Sequence, residues 1–248
     1  MNYEYILTLA VLFFLFAVSV YLMKYIRNIR LFNLIFVALV YIPYVCACIY
    51  IYKTDTDPTR WNFLNTLPVA NVSPFMFSIM PILPILPKKF REYLYLLISM
   101  LCVGMFLSTV FGCVHNALRG YKFHFHFTLD YLSHFALSAF GIYLIRTGQA
   151  KVNIKNSIIS ASVIFCVATT MLALNAIFDT AFFGLSLTGK HNIYNIVLVS
   201  NSYLSAVIYY FGLAIVLCMG FALCKLLSQN RFQIEPERSK HPAVSDKV

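Results

Sequence analysis

Seven long apolar runs dominate the chain, and each is close to the ~20 residues that a helix needs to cross a bilayer. They are Tyr5–Met23, Leu31–Tyr52, Phe63–Leu86, Tyr93–Val114, Leu129–Ile145, Ser157–Phe178 and Ser202–Leu227. The 248 residues are 60% hydrophobic and only 11% charged, whereas soluble domains are about 25% charged. The sequence therefore predicts an all-α, polytopic membrane bundle of about seven transmembrane helices.

We predict one transmembrane bundle over residues 1–227 and a polar, disordered tail over residues 228–248. No Lys or Arg precedes the first run, and the basic segment KYIRNIR follows it. This flank pattern is typical of an uncleaved anchor whose N-terminus lies outside.

The basic residues alternate between the loops in the way that membrane topology requires. The loops after the first, third and fifth runs, together with the tail, hold 14 Lys and Arg residues, and the alternate loops hold 5. Cytoplasmic loops carry the excess of positive charge, so we place the C-terminus in the cytoplasm of a cell-membrane protein. The same scattering explains the pI near 9.3 without nucleic acid. Membrane lipids are the expected partners, and no acidic or basic run suggests a soluble partner domain.

With this orientation, the strongly polar residues of the runs gather in their outer halves. Such residues are costly in lipid and normally face a bundle interior or a wet cavity. We therefore predict an outer polar pocket, lined by Asn71, Ser73, Asp130, His134, Asn175 and Asp179.

The sharpest local pattern is the segment LDYLSHFALSAFG. Asp130 and His134 are four residues apart and share one face of a helix. A carboxylate at this spacing can orient an imidazole and raise its basicity, as a general base requires. The alternative is a hydrogen-bonded pair that only locks two helices together.

Three side chains are candidate nucleophiles for such a base: Thr66, Ser73 and Cys113. Most hydroxyls in membrane helices simply bond to backbone, so each has a structural alternative. The seven cysteines form no CxxC pair and indicate neither disulfides nor zinc. His124 and His126 in FHFHF could share one face and bind a metal together with the nearby His115. Histidines among interfacial aromatic residues are common without a metal, however. We predict no metal and no cofactor.

Five prolines interrupt the third run: Pro68, Pro74, Pro81, Pro84 and Pro87. Each removes a backbone donor and prevents a regular helix locally. Broken backbone survives at membrane depth only against protein or a cavity. We therefore expect the third run to be kinked and central, with its freed carbonyls and Asn71 at the outer pocket, although bending for packing alone would explain the prolines too.

The segments NVSPFMFSIMPILP, YLSHF and NAIFDTAFFGLSLTGKHNIYNI resemble the YwaF-like family of bacterial integral membrane proteins, from about Asn65 through the seventh run. That family looks distantly related to animal androgen-induced hydrolases of fatty-acid esters and to an ether-phospholipid acyltransferase. The resemblance implies a Thr or Cys nucleophile and a later His, which carries over to His134. The expected Cys position holds Ala70, so Thr66 or Ser73 would have to act instead.

Three functions follow as hypotheses. The first is a lipid-ester hydrolase or acyltransferase that uses Thr66 or Ser73, His134 and Asp130, with Asn71 steadying the oxyanion. The second is a solute-binding or transport protein built on the broken third run. The third is a non-catalytic membrane scaffold.

Overall fold

The computed structural model contains only helices and turns among the residues that it describes. These are residues 2–26, 28–54, 72–120, 122–123, 125–178, 183, 185 and 202–229. The helices are α1 (Tyr3–Leu22), α2 (Ile29–Phe36), α3 (Ile42–Thr54), α4 (Val72–Ile79), α5 (Lys88–Arg119), α6 (Phe125–Arg146), α7 (Ile154–Phe178) and α8 (Ser202–Ser228). The predicted all-α class is thus confirmed for this part of the chain.

Four helical segments are long and apolar enough to cross a membrane. They are Tyr3–Tyr25, Lys88–Arg119, Ile154–Ile177 and Tyr203–Ser228. This supports a membrane protein, while the number of seven spans and their orientation stay predictions. The tail beyond Gln229 lies outside the described residues.

The second apolar run forms α2 and α3, which a π-helical turn over Val37–Tyr41 joins. Pro43 is the second residue after this turn. Proline cannot donate to the carbonyl four residues earlier, and its ring clashes with that carbonyl. A wider π-helical turn relieves this clash, and π-turns are expected where a proline removes a helical hydrogen bond.

Pro68 of the third run lies outside the described residues, and three of the other prolines follow the end of α4. Pro74 lies in its first turn, where no donor is needed, and α4 ends before Pro81. Because Pro81 has no N–H to donate to the Phe77 carbonyl, the Met80 amide donates a hydrogen bond to that carbonyl at 3.2 Å. A short 3₁₀ turn over Leu83–Ile85 follows, and α5 begins directly after Pro87.

Helix α5 is the centre of the described bundle, and it packs most closely against α6. Gly141 of α6 lies so near α5 that a side chain there would approach the Cys102 Cβ at 2.8 Å. Two hydroxyls bond across this seam: Ser99 donates to the Gly141 carbonyl at 3.0 Å, and Ser138 donates to the Cys102 carbonyl at 3.0 Å. Small residues that let two backbones approach closely are typical of helix packing in membranes, and so are hydrogen bonds between helices.

Helix α8 crosses the other side of α5 in the antiparallel direction. Gly220 faces the Met100 carbonyl, and one turn along, Gly104 faces the Val216 side chain. Helix α7 runs parallel to α5, since Ser160 near its start donates to the Tyr93 carbonyl at 2.9 Å. The ends of α6 and α8 and the beginnings of α5 and α7 therefore lie together.

Helix α1 is tied to α6 and the loop before it at both of its ends. The Tyr5 hydroxyl donates to the Lys122 carbonyl at 3.1 Å, and the Tyr143 hydroxyl donates to the Ile26 carbonyl at 3.1 Å. Each bond joins residues 117 positions apart in the chain. Between them, Phe13 and Phe16 pack edge-on against Phe135.

We expect Gly220→Ala to destabilise the bundle by about 1–3 kcal/mol, because the new methyl group would clash with the Met100 carbonyl and separate α8 from α5. Unfolding by titration with a denaturing detergent measures this change. The matched control is Gly212→Ala on the same helix, where nothing lies within 4 Å of the added Cβ. This control should be neutral or more stable by up to about 1 kcal/mol. Equal stability of the two variants would contradict the close crossing.

Candidate functional site

The imidazole of His134 lies on α6 and is fixed by its own helix. Its Nδ1 lies 2.7 Å from the Asp130 carbonyl oxygen, and the side chain is 13% exposed. A carbonyl only accepts hydrogen bonds, so Nδ1 must carry the proton. In the neutral ring, Nε2 then keeps its lone pair, and this is the tautomer that a general base needs.

Two groups of Asp130 lie near His134 Nδ1, the main-chain carbonyl and the carboxylate, and the carboxylate is the more distant. Its Oδ1 lies 3.6 Å from Nδ1, and the side chain is 42% exposed. This distance exceeds a normal hydrogen bond but suits an ion pair if the ring is protonated. The residue predicted to orient His134 thus does so mainly through its main chain, and its carboxylate is placed to stabilise an imidazolium.

Helix α4 brings the third run against His134. The Phe77 ring contacts the imidazole edge-to-face, with centroids 5.5 Å apart and planes at 87°. Ser73 lies four residues before Phe77 and therefore on the same face of α4, and its side chain is half-buried. Ser73 is thus one helical turn from the residue that contacts the imidazole.

Two residues of the segment after α7 pack over α4 and α7. Asn175, which is 2% exposed, donates a hydrogen bond from its amide to the Leu185 carbonyl. Phe183 is 2% exposed, and its ring centroid lies 6.1 Å from that of Phe75 in α4. Asn175 therefore holds Leu185 by a hydrogen bond. Phe75 and Phe77 are two residues apart and face different sides of α4, so Phe183 packs on a different side of α4 from His134.

A second polar cluster joins α1, α5 and α6, and the sequence does not predict it. The Asn116 amide donates to the Tyr131 hydroxyl at 2.8 Å, and the Cys113 thiol lies within hydrogen-bonding range of the same hydroxyl. Tyr131 precedes His134 by three residues and so lies one turn away. Cys113 and Asn116 are polar residues at the end of the fourth apolar run. Their partner could not be inferred because the pairing of the runs is not readable from sequence.

Cys113 itself is completely buried. Buried thiols packed among aromatic rings usually act as small apolar groups. The hydroxyl of Ser73 is therefore the better placed nucleophile among the described candidates.

The remaining predicted residues are Thr66, Asn71 and Asp179, and all three lie outside the described residues, as does the side chain of His126. Within the described part of the chain, no three His, Cys, Asp or Glu side chains are grouped as metal ligands. The structure therefore brings together His134, Asp130 and the helix that carries Ser73, whereas the described hydrogen bond of Asn175 is to Leu185.

Comparison with known proteins provides no relative from which to transfer a role. No family model matches the chain, and no curated protein or solved structure is significantly similar to it. The resemblance to the YwaF-like family stays a prediction.

We expect Asn175→Leu to lower the free energy of unfolding by about 1–3 kcal/mol, because the buried Leu185 carbonyl loses its donor while the side-chain volume is retained. Thermal unfolding in detergent measures the loss. The control is Ser162→Ala on the same helix, since that exposed hydroxyl only donates to the Ile158 carbonyl of its own helix. An Asn175 variant as stable as this control would show that the amide does not hold the segment.

Proposed function

We propose that the chain is a multi-pass membrane enzyme that hydrolyses or transfers ester-linked acyl groups of membrane lipids. The observation that carries the proposal is the fixed tautomer of His134. Its Nδ1 is held by the Asp130 carbonyl at 2.7 Å, which leaves Nε2 as a base in a largely buried position. The Asp130 carboxylate lies 3.6 Å from Nδ1, within the distance of an ion pair.

The proposed reaction begins with a hydroxyl, that of Ser73 or Thr66, attacking the carbonyl carbon of a lipid ester. His134 Nε2 accepts the hydroxyl proton as the new C–O bond forms. The Asn71 amide or a backbone amide of the proline-broken segment steadies the oxyanion. The leaving alcohol takes the proton from His134, and water or a second alcohol then releases the acyl group. Asn175 and Asp179 complete the polar pocket.

The proposal includes about seven spans, an external N-terminus and a cytoplasmic C-terminus. The excess of 14 over 5 basic residues in alternate loops supports this orientation, and α1, α5, α7 and α8 are long enough to span. The third span would be broken by its prolines, since α4 ends at Ile79 and a 3₁₀ turn follows. His134 would then lie in the outer half of the membrane.

A second candidate is a solute-binding or transport protein. A short helix followed by a 3₁₀ turn, as in α4, is the type of discontinuous segment from which transporters build their sites. The plain apolar character of the cytoplasmic halves offers no inward path, so we rank this function below the enzyme. A non-catalytic scaffold is the third reading, because a histidine bonded to the carbonyl one turn earlier can serve packing alone.

The first test is labelling of the purified protein, in detergent with lipid, by a fluorophosphonate probe. We expect His134→Ala to slow labelling by at least about 100-fold, which is the usual contribution of a general base. Either Ser73→Ala or Thr66→Ala should abolish it. Ser78→Ala is the matched control on α4, since that hydroxyl donates to the Pro74 carbonyl at 2.8 Å and should label like the wild type.

The same variants separate the three functions. Absence of labelling, together with early thermal unfolding of His134→Ala, would support the scaffold. Absence of labelling with normal stability and solute uptake in proteoliposomes would support transport. Labelling that survives His134→Ala would contradict the proposed base.

A second test addresses the orientation, using single cysteines in a background without native cysteines. Lys122→Cys, between α5 and α6, should react with an impermeant maleimide in intact cells. Lys155→Cys, at the start of α7, should react only after permeabilisation. Both lysines are exposed, so access to the reagent is equivalent. The reverse pattern would invert the topology and place His134 in the inner half.

A further inference from the structure

An apolar groove runs between α7 and α8 on the side of the bundle away from α1. Met100 of α5 lies at this groove, and Ile154, Phe165, Ala214 and Phe221 line its walls. Its volume is about 290 Å³. From Ile154 to Phe165 it extends about 16 Å along α7, which matches half of the ~30 Å hydrocarbon core. The groove therefore has the depth of one leaflet.

The two helices that form the groove are bridged near the depth of Phe165. The Phe165 ring stacks on Tyr210 with centroids 6.0 Å apart, and Thr169 and Tyr210 share a hydrogen bond of 3.1 Å between their hydroxyls. At the opposite end, by the start of α7 and the end of α8, lies Ser157. The groove is thus apolar at depth and reaches the helix ends at the membrane surface.

Positive charge surrounds this surface end. Lys155 lies three residues before Ile158, which lines the groove, and Lys225 lies four residues after Phe221, so each shares a face with a lining residue. Both lysines are exposed. Within the described residues, the ends of α5–α8 here hold seven basic side chains and one acidic side chain, which are Lys88, Lys89, Arg91, Arg146, Lys151, Lys155, Lys225 and Glu92.

The single carboxylate is already neutralised. Glu92 pairs with Lys151 at 2.9 Å, which leaves Lys155 and Lys225 beside the groove without a described acidic neighbour. An occupant with an apolar chain and an anionic head satisfies both parts of the site. A second copy of this chain would bring the same positive charges to the same surface, and like charges oppose that contact.

We propose that this groove binds an anionic phospholipid, with one acyl chain between α7 and α8 and the phosphate at Lys155 and Lys225. The surface end of the groove is at the opposite end of the bundle from the start of α6, whereas His134 is the tenth of the 22 residues of α6. The proposed site is independent of the proposed enzyme activity. Lipid composition would then affect how α7 and α8 pack against α5.

Native mass spectrometry of the full chain with phosphatidylglycerol and phosphatidylcholine of identical acyl chains tests the site. We expect phosphatidylglycerol to bind more tightly at one saturable site. The double variant Lys155→Gln/Lys225→Gln should weaken its binding by about 25-fold, or about fivefold per lysine, and leave phosphatidylcholine unchanged. Lys122→Gln at the opposite end makes the charge change of one of these two substitutions and should alter neither lipid.

Filling the groove tests the position of the acyl chain. Ala214→Trp should reduce binding of both lipids, whereas Val207→Trp, at a site on α8 that is 63% exposed and outside the groove, should not. Ala161→Leu is a milder filling variant if Ala214→Trp does not fold. Equal affinity for the two lipids in the wild type, or a preference that survives the double variant, would overturn the proposal. So would unchanged phosphatidylglycerol binding in a folded groove-filling variant, or a wild-type dimer that such a variant dissociates.

Discussion

The close approach of helix backbones to α5 is the contact on which the described structure depends. Lipid gives no hydrophobic drive for one helix to join another, so dispersion contacts and interhelical hydrogen bonds must hold the bundle. Gly141 lets α6 reach α5, and Gly220 lets α8 reach it from the other side. The hydroxyls of Ser99 and Ser138 then bond to carbonyls across the seam. These contacts fix α6, and with it the depth and direction of His134.

The candidate site combines one locally determined group with groups that depend on tertiary packing. The His134 tautomer is set by a carbonyl four residues earlier on the same helix, so any helix with this sequence would present it. The contact with Phe77 requires α4 to stop and turn where the prolines dictate. In the proposed enzyme, the base is fixed by its own helix and the nucleophile is carried by a broken segment, so the proline-rich turn would set the distance between them.

Much of this could be read from the sequence, for physical reasons that differ between elements. The helices follow from apolar runs of membrane length, and the observed bounds of α5 and α7 contain the predicted runs. The Asp130–His134 contact follows from four-residue spacing, although spacing alone does not tell the carbonyl from the carboxylate. The link between Asn116 and Tyr131 and the groove between α7 and α8 could not be predicted. Both depend on which helices are neighbours, and uniformly apolar helix surfaces do not indicate which helices pack together.

The two bonds that tie α1 to the region around α6 have a consequence for biosynthesis. Tyr5 and Ile26 each find a partner 117 residues away, so α1 leaves the ribosome long before the groups that hold it exist. Only 11% of its membrane-length window is buried in the finished bundle. During translation α1 must therefore persist as a lone helix in lipid or beside an insertion factor. Helix α1 therefore reaches its final place only when the hairpin of α5 and α6 that carries these partners is complete.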